Sequence, residues 1–303
     1  MRITYELWKR TLLLQREFEK RGERLSRNKL QEAFQISEQT ARGLLFALDN
    51  KDIISLKPQE ISLSGGAVEL VISDLHIPFH HKAATELVLD FAERERVNII
   101  SILGDLVDFY KISKFIKKNV RAKRVNDELK EAKQFLTELR QRFPNARIIF
   151  KPGNHEDRLE KYIVEKASEI ADLIEGLLPN KLGLAELNIE LKDRFYRIGK
   201  LWHLHGDEKP AGGNPKYVVK VLFQYILRNF IFGHYHFWQT DTFKSIDGKY
   251  YWGGCIGHLS DVTKVEYMQG RLNKWVMGFA IVKYNSDGWF MPRVYKIIDG
   301  RIV

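Results

Sequence analysis

Five short clusters of aspartate, asparagine, histidine and glycine could carry chemistry in this sequence, because each directly follows an apolar segment predicted to be a β-strand. Strand ends are where the sheets of α/β proteins usually build their sites. The clusters are Ser73-Asp74-Leu75-His76, Gly104-Asp105-Leu106-Val107-Asp108, Gly153-Asn154-His155-Glu156, His205-Gly206 and Gly233-His234-Tyr235-His236.

The spacing within two of these clusters predicts convergent metal ligands. Residues i and i+2 of an extended segment point to the same side, so Asp74 with His76, and His234 with His236, can each present two ligands to one point. Carboxylate, imidazole and amide groups form a mixed oxygen and nitrogen set, which suits Mn, Fe, Zn or Ni rather than Ca or Mg alone. The glycines that precede several of these ligands let the backbone turn sharply close to a metal.

The distribution of histidine favours a site over a packing role. All nine histidines lie between His76 and His258. A single histidine on an apolar face is more often a satisfied core residue, but several histidines in ordered clusters beside Gly, Asp or Asn are hard to explain as core. The clusters therefore predict a metal-dependent active site.

Taken in order, the patterns DxH, GDxxD, GNH[D/E], HG and GHxH resemble those of the calcineurin-like metallophosphoesterases, and all five occur in the order of that family. The resemblance covers about residues 70–236, and the β-rich segment that follows is expected to complete the second sheet. It implies an α/β fold, namely a metallophosphoesterase β-sandwich flanked by helices, and it implies a two-metal hydrolase.

The resemblance also implies a ligand set for two divalent metal ions, with Mn expected and Fe, Zn or Ni as alternatives. Asp105 would bridge the two ions. His203 has the same facing as His205 on the predicted strand, but the family's histidine is followed by glycine, so His205 is the predicted ligand. One ion would be completed by Asp74, His76 and His236, and the other by Asn154, His205 and His234.

Two further residues take catalytic roles from the same resemblance. His155 would contact the phosphate or protonate the leaving oxygen, and Asp108 would orient and charge-stabilise His155. A hydroxide bridging the two metals would attack phosphorus in line, while the metals neutralise charge on the non-bridging oxygens. The sequence contains no P-loop or nucleophilic-serine motif that competes for the role.

The family hydrolyses phosphoproteins, cyclic nucleotides, nucleic acids and small phosphate esters, so the fold alone does not select a substrate. Its protein Ser/Thr phosphatases carry one arginine just after the second Asp of GDxxD and another before GNHE. Here those places hold Phe109 and Lys151-Pro152. The blocks around Asp74 and Asp105 are instead similar to the DNA-repair exonuclease branch, although that branch usually has GNHD. These departures favour a nuclease or another phosphodiesterase.

A basic segment after the second cluster points in the same direction, because Tyr110 and Phe115 lie among its lysines and arginines. Such a run could hold a phosphate backbone while the aromatic rings stack on bases. An ordinary solvated helix face is the alternative. The predicted nucleic-acid contacts in this segment are Lys117, Lys118, Arg121, Lys123 and Arg124.

The elements that must position these clusters alternate between strands and helices. Apolar runs predict strands at residues 70–72, 97–103, 147–150, 201–204 and 230–232. Helical periodicity predicts helices at residues 83–94, 126–143 and 215–227. Beyond residue 250 the pattern is β-rich.

The N-terminal segment has a different character. It predicts a short helix at 28–34, a tight turn, a second helix at 38–49 with Ser37 as its N-cap, and two strands at 53–56 and 60–63. This is the order of a winged helix-turn-helix. Gln39 and Arg42 would face outward and could enter a DNA groove, although Glu38 would repel phosphates. Protein docking or self-association is the alternative role.

The glycine pair after Ser64 marks the predicted boundary between these two parts. The predicted organisation is a helix-turn-helix-like domain over residues 1–63, a linker over 64–68, and a calcineurin-like metallophosphoesterase domain over 69–303.

Composition limits the classes of protein that this chain can be. The net charge of +10 and the pI of about 9.4 favour a polyanionic partner, nucleic acid first. One cysteine, Cys255, excludes an intramolecular disulfide and a zinc site built on several thiolates, and it fits a reducing compartment. Neither a signal-peptide pattern nor an apolar run of about 18 residues is present, so we expect a cytoplasmic protein without membrane association.

The leading prediction is a metal-dependent nuclease or phosphodiesterase that acts on DNA or RNA. One alternative is a phosphatase for small or protein-bound phosphomonoesters. A second alternative is a nucleic-acid-binding regulator with an inactive phosphoesterase scaffold.

Overall fold

The structure is a computed structural model of the 303-residue chain, which divides into two compact units, Met1–Lys57 and Pro58–Val303. It describes residues 10–11, 14–15, 17–18, 20–49, 59–63, 65–112, 123–166, 176–192, 195–208, 216–246, 248–264 and 274–303.

The smaller unit contains two helices, α1 (Arg27–Phe34) and α2 (Glu38–Asp49). The Ser26 side chain caps α1 by accepting a hydrogen bond from the backbone N–H of Lys29. Oγ of Ser37 accepts from the backbone N–H of Thr40 at 3.2 Å, so the predicted N-cap of α2 is confirmed. Gln35 takes the left-handed conformation that ends α1. Both predicted helices are therefore present.

A small apolar cluster fixes these two helices against each other and against helical residues nearer the N-terminus. Leu30 of α1 and Leu44 of α2 are fully buried in it. Ile36, in the turn between the helices, is also buried there, so the turn is anchored by its own side chain. The other buried members are Leu25 and Ala41, and the partly buried ones are Leu14, Phe18, Phe34 and Leu45.

The predicted wing differs from what the structure shows. Strand β1 (Gln59–Ile61) pairs in parallel with strand β6 (Tyr196–Ile198) and so belongs to a sheet of the larger unit. Ile61 is buried in that unit's core, which explains the pairing. The other predicted wing strand, 53–56, lies outside the described residues. The boundary between the units falls after Lys57, six residues before the predicted end of the first domain.

The larger unit contains two β-sheets. The first has six described strands in the order β1-β6-β7-β8-β10-β9, and the second has seven in the order β13-β12-β11-β2-β3-β4-β5. The remaining strands are β2 (Ala67–Ile72), β3 (Ile99–Leu103), β4 (Arg147–Lys151), β5 (Ile189–Leu191), β7 (Leu201–His203), β8 (Asn229–Phe232), β9 (Trp238–Lys244), β10 (Tyr250–Ile256), β11 (Gly278–Tyr284), β12 (Phe290–Ile298) and β13 (Arg301–Ile302).

Helices accompany these sheets. They are α3 (Lys82–Arg94), α4 (Val125–Arg142), α5 (Glu156–Lys166), α6 (Leu177–Leu182) and α7 (Val218–Ile226), with 3₁₀ turns at Tyr110–Ile112 and Val262–Lys264. In the described part of the chain, no helix is long and apolar enough to cross a membrane.

Two apolar cores explain why the central strands are hydrophobic without alternation. Leu70 and Ile72 of β2 face helices α3 and α4, where Val88 and Leu136 are fully buried. Val71, between them in sequence, faces the opposite way into the core between the two sheets. Because both faces of the strand are covered, its residues are apolar on both sides, apart from the buried Glu69. The predicted β-sandwich flanked by helices is confirmed.

The direction of the strands gathers the five polar clusters. Strands β2, β3 and β4 are parallel neighbours, so the clusters that follow them leave the same edge of one sheet. Strands β7 and β8 are parallel neighbours in the other sheet, and the two histidine-glycine clusters follow them. Both sets of loops therefore meet at one end of the sandwich.

Candidate metal centre

The loops that follow β2, β3, β4, β7 and β8 bring all seven predicted metal ligands together. Within each of three groups, the potential ligand atoms lie within 4.8 Å of one another. The groups are Asp74, His76 and His236; His76, Asp105 and His155; and Asp105, His205 and His234.

The first predicted ion site is compact. Nε2 of His236 lies 3.2 Å from Oδ1 of Asp74 and 3.2 Å from Nε2 of His76. Nε2 of His76 lies 3.9 Å from Oδ2 of Asp105. All four side chains are buried. Two ring nitrogens this close, beside two carboxylates, form a donor set that a divalent transition-metal ion would hold together.

The second predicted site lies on the other oxygen of the shared aspartate. Nε2 of His205 lies 3.4 Å from Oδ1 of Asp105 and 3.1 Å from Oδ1 of Asn154. His234 completes this group, with its ring centroid 5.0 Å from that of His205. Asp105 therefore faces both donor sets, one with each carboxylate oxygen.

The backbone at most of these ligands is not extended, although extended geometry was the basis for predicting that Asp74 converges with His76, and His234 with His236. The strands end at Ile72 and Phe232, and the ligands follow in loops. Five of the seven take left-handed conformations, which are uncommon outside glycine and cost about 1–3 kcal/mol each. They are Asp74, His76, Asp105, His234 and His236, with φ between 51° and 62°. Convergence is confirmed, but turns in the loops produce it.

Gly104 shows why glycine precedes a ligand here. Its φ is +86°, and a Cβ at this position would lie 2.5 Å from Nδ1 of His205 and 2.7 Å from Cα of Gly153. Any side chain would therefore push apart the β3, β4 and β7 loops. The glycine permits the close approach of three loops as well as the turn.

The outer ring nitrogens of two histidines are tied to the protein, so that the inner nitrogens face the centre. Nδ1 of His205 lies 2.6 Å from the carbonyl oxygen of Leu103, and Nδ1 of His76 lies 3.0 Å from Oδ1 of Asp108. A proton on each Nδ1 leaves an Nε2 lone pair directed inward. This is the tautomer that a metal-ligating histidine needs.

The charges of the centre also fit cation binding. Burial alone would raise the pKa of Asp105, but His155 and His205 hold that pKa well below its ordinary value. The same balance holds for Asp74, where His236 offsets the effect of burial and lowers the pKa. Buried carboxylates of this kind are found paired or coordinating metals. The donor set, its tautomers and its charge therefore fit two divalent cations.

His155 and Asp108 lie beside these donors. Nδ1 of His155 lies 2.8 Å from the backbone oxygen of Asp108 and 3.3 Å from its Oδ1. Nε2 of His155 is 3.7 Å from Oδ2 of Asp105, at the edge of the centre. The predicted pairing of the two residues is present, and Asp108 additionally touches His76.

Glu156 holds two of the ligand loops together, a role that the sequence reasoning did not assign. It is 3% exposed, and its carboxylate accepts backbone N–H bonds from Asp105 at 2.9 Å, Val107 at 2.9 Å and Gly153 at 2.7 Å. Burial, followed by the charge of Asp105, raises the pKa of Glu156 to about 7. Its distance in sequence from Asp105 concealed this role.

A buried ion pair supports the β7 loop. Glu208 accepts hydrogen bonds from the backbone N–H groups of His205 at 2.9 Å and Gly206 at 2.7 Å. Its carboxylate also lies 2.9 Å from Nζ of Lys151, which is 4% exposed. Lys151 therefore pairs with Glu208, and Glu208 in turn binds the backbone N–H of His205.

His203 lies in a different environment from His205. Its Nε2 is 3.0 Å from Oε1 of Glu69, a fully buried carboxylate between the sheets that also accepts a hydrogen bond from Tyr284 at 2.7 Å. His203 is absent from the three candidate ligand groups. The geometry thus agrees with the choice of His205 over His203.

Two ring side chains, Trp275 and His258, pack against the first ion site. The Trp275 ring lies edge-on to His236, with centroids 4.1 Å apart, and His258 stacks on the same histidine at 4.8 Å. His258 is held by Oγ of Ser260 at 2.8 Å from its Nδ1. Trp275 and His258 thus fix the ring plane of His236.

The predicted nucleic-acid contacts are only partly described. Lys117, Lys118 and Arg121 lie outside the described residues. Lys123 is paired with Glu131, and Arg124 is the N-cap residue of α4. In the smaller unit, Nη2 of the exposed Arg42 lies 2.7 Å from Oε1 of Glu38. Gln39 belongs to the same helix, α2.

Comparison with known proteins gives a family and several relatives. The family model described as Calcineurin-like phosphoesterase matches residues 70–254. The Gene 54 protein of Mycobacterium phage L5 is 25% identical over 244 residues, covering 77% of this chain and 94% of that protein. The Gene 54 protein of Mycobacterium phage D29 is 23% identical over 242 residues, with the same coverage of both chains.

Two solved structures are also similar. Vacuolar Protein Sorting 29 from Cryptosporidium Parvum is 13% identical, with a TM-score of 0.40, covering 79% of this chain and 96% of that one. Yfce, a phosphoesterase from E. coli, is 13% identical, with a TM-score of 0.32, and the match covers 75% of this chain and 98% of that one. The family match spans all five polar clusters and the strands that position them. The chain belongs to the calcineurin-like phosphoesterase family.

Proposed function

We propose that this protein is a two-metal hydrolase that cleaves phosphodiester bonds, most specifically a nuclease acting on DNA or RNA. The observation that carries the proposal is the position of Asp105, whose two oxygens face two separate sets of ligand atoms. A centre with one shared carboxylate and two donor sets is suited to clamping a phosphoryl group from two sides.

The protein residues divide into two ligand sets and an acid–base pair. Asp74, His76 and His236 would hold one cation, and Asn154, His205 and His234 the other, with Asp105 shared. Two such cations supply Lewis acidity toward phosphoryl oxygens and a water acidic enough to act as a nucleophile at neutral pH. Mn is the expected metal, because the mixed imidazole and carboxylate set suits it, as it also suits Fe, Zn and Ni.

His155 would move a proton at the leaving oxygen. Its Nδ1 is held by Asp108, so its Nε2 is the nitrogen directed at the centre. Asp108 fixes the ring orientation and stabilises a positive charge on the ring, as a carboxylate does for a catalytic imidazole. The same carboxylate contacts His76, so Asp108 also orients a metal ligand.

Nucleic acid is the proposed substrate because of the net charge of the chain and because of the residues at two positions of the family motifs. The chain carries a net charge of +10, and polyanions are attracted to such proteins by counterion release. Lys151, which occupies the place of an arginine in the family's protein phosphatases, is buried and paired with Glu208. Phe109, at the other such place, is fully buried. These two positions therefore give no support to a protein-phosphatase reading.

The test is cleavage of end-labelled single-stranded and double-stranded DNA and RNA with added Mn²⁺, with a chromogenic phosphodiester alongside. His155→Ala is the matched variant. Cutting that requires Mn²⁺ and disappears in the variant would support the nuclease proposal. Hydrolysis of only the small ester would contradict the nuclease proposal while leaving the family assignment intact.

A further inference from the structure

We propose that Arg158 binds a non-bridging oxygen of the substrate's phosphoryl group at the metal centre. This inference rests on the proposed function, since it places a phosphoester beside His155. It assigns a substrate-binding residue that lies outside the five sequence clusters.

The guanidinium of Arg158 reaches the edge of the centre from α5. One of its nitrogens, Nη2, lies 2.6 Å from Nε2 of His155, and Nη1 lies 3.1 Å from the backbone oxygen of Asp108. Nε2 of His155 is itself 3.7 Å from the shared ligand Asp105. The guanidinium therefore lies next to the place where a phosphoryl group held by both donor sets would sit.

Among the described residues, the hydrogen-bond partners of this guanidinium are both neutral, so they do not compensate its charge. A backbone carbonyl and a ring nitrogen lone pair are neutral acceptors, and both are weaker partners for a guanidinium than an anionic oxygen. The arginine is also partly exposed, so solvent and ligands can reach it. A phosphoryl oxygen would replace a neutral acceptor with a charged one at the same nitrogen.

The position of Arg158 in its helix also points to an anion. It lies in the first turn of α5, where Glu156 and Asp157 complement the helix dipole and a cation opposes it. The charge of an arginine is therefore not explained by the stability of this helix. It is explained if the guanidinium, at the positive end of the helix dipole, faces an anion.

Two other cations in the described part of the chain do not fill this role. Lys151 is buried against Glu208, and Lys161, one turn further along α5, is exposed and paired with Asp157 at 3.0 Å. Arginine is also suited to phosphate because its planar group presents two parallel N–H donors. Contact with the phosphate requires the Arg158–His155 hydrogen bond to be exchanged, which frees Nε2 of His155 when substrate binds.

The experiment measures binding of inorganic phosphate to Mn²⁺-loaded full-length protein by calorimetry, for the natural chain and for Arg158→Ala, Arg158→Gln and Arg158→Lys. Metal content is measured for each preparation. We expect unchanged metal content, phosphate binding weakened at least tenfold in the alanine and glutamine variants, and a smaller loss with lysine. Where phosphodiester hydrolysis is measurable, kcat should fall by about 100-fold or more in the alanine variant. Lys161→Ala, on the same helix, should match the natural chain.

Two results would overturn the inference. One is phosphate affinity unchanged by removal of the guanidinium, and the other is loss of bound metal from both the alanine and the glutamine variants, which would make Arg158 a structural residue. The glutamine variant keeps a polar, partly extended side chain. Phosphate binding can therefore still be compared if the alanine variant misfolds. The protein could bind phosphate through Arg158 and yet hydrolyse no phosphodiester. That result would support this inference and contradict the proposed function.

Discussion

The carboxylate of Asp108 lies 3.0 Å from Nδ1 of His76, whose other ring nitrogen faces the first ion site. The same oxygen lies 3.3 Å from Nδ1 of His155. One carboxylate thus orients both a proposed metal ligand and the proposed proton donor. The two roles can be separated by substitution, because only one of the two histidines is a proposed ligand.

Asp108→Asn should lower both metal affinity and turnover. Loss of a carboxylate behind a ligating histidine typically costs 10–100-fold in metal affinity or activity. His155→Ala should lower turnover with little change in metal affinity. Titration of metal-depleted protein with Mn²⁺, followed by calorimetry, measures the affinity directly. Equal metal affinity in Asp108→Asn and the natural chain would show that Asp108 serves His155 alone.

Glu156→Gln should destabilise the protein and loosen the metal centre. The carboxylate of Glu156 accepts three backbone N–H bonds from two ligand loops. A glutamine amide has only one acceptor oxygen. Its NH₂ group would therefore face at least one of those backbone N–H donors, and no hydrogen bond can form between two donors. Burial raises the pKa of Glu156 to about 7, so the group is only partly ionised near neutrality. Counting ordinary hydrogen bonds of about 1 kcal/mol each, we expect a loss of about 1–2 kcal/mol in the free energy of unfolding.

Chemical denaturation of metal-free protein gives that free energy. Glu160→Gln, an exposed position on the same helix, is the matched control and should be neutral. If both variants unfold at the same denaturant concentration, Glu156 does not hold the loops together.

Lys151 and Glu208 should behave as a coupled pair. Lys151→Met leaves the carboxylate of Glu208 without its cation in a largely buried place, and removal of one partner of such a pair costs about 3 kcal/mol. The double variant Lys151→Met, Glu208→Gln should cost less than the sum of the two single changes, because no unpaired charge remains. Urea unfolding of the four proteins completes the cycle, and strict additivity would count against the pair.

Glu128 should make stability depend on pH. Its side chain is fully buried on α4, and its carboxyl group faces the backbone N–H groups of Phe109 and Tyr110 but no cation among the described residues. Burial, followed by the charge of Asp108, raises the pKa of Glu128 from 4.5 to about 8 in the folded protein. Between these two values the unfolded chain releases the proton first, so this group lowers stability as pH rises from 4.5 to 8.

Glu128→Gln removes this ionisation. Relative to the natural chain, the variant should gain stability progressively from pH 4.5 to pH 8, with a constant difference outside that window. Thermal unfolding in the presence of a chelator, at several pH values, measures the difference between the two proteins. Glu138→Gln, on the same helix, controls for loss of a surface charge. A difference that does not vary with pH would show that Glu128 ionises normally in the folded state.

The main elements of the larger unit could be predicted because burial on both faces gives apolar strands. The runs at β2, β3 and β4 are of this kind, and α4 has a clear apolar face. Strand β5 and strand β6 have three residues each, too few for a periodic signal. Strand β1 was predicted as part of a wing, because a local pattern does not show that its partner is β6, more than a hundred residues away.

The ligand set could be predicted from the resemblance of short motifs to those of a known family, since each motif supplies its ligands from one loop. The residues that contact the ligands from outside the metal centre could not be predicted in this way. Glu156 meets Asp105 across 51 positions, and Trp275 reaches His236 from a different part of the chain. Arg158 lies only three residues from His155, and its proximity to a helix start was the one local signal that could have singled it out.

The most direct test of the central claim is hydrolysis of a chromogenic phosphodiester by metal-depleted protein titrated with Mn²⁺, with bound metal measured at each point. Asp105 faces both donor sets, so activity should rise to a plateau at two bound ions per chain, and Asp105→Asn should lose both activity and the second ion. A plateau at one ion per chain, or no hydrolysis with two ions bound, would contradict the account.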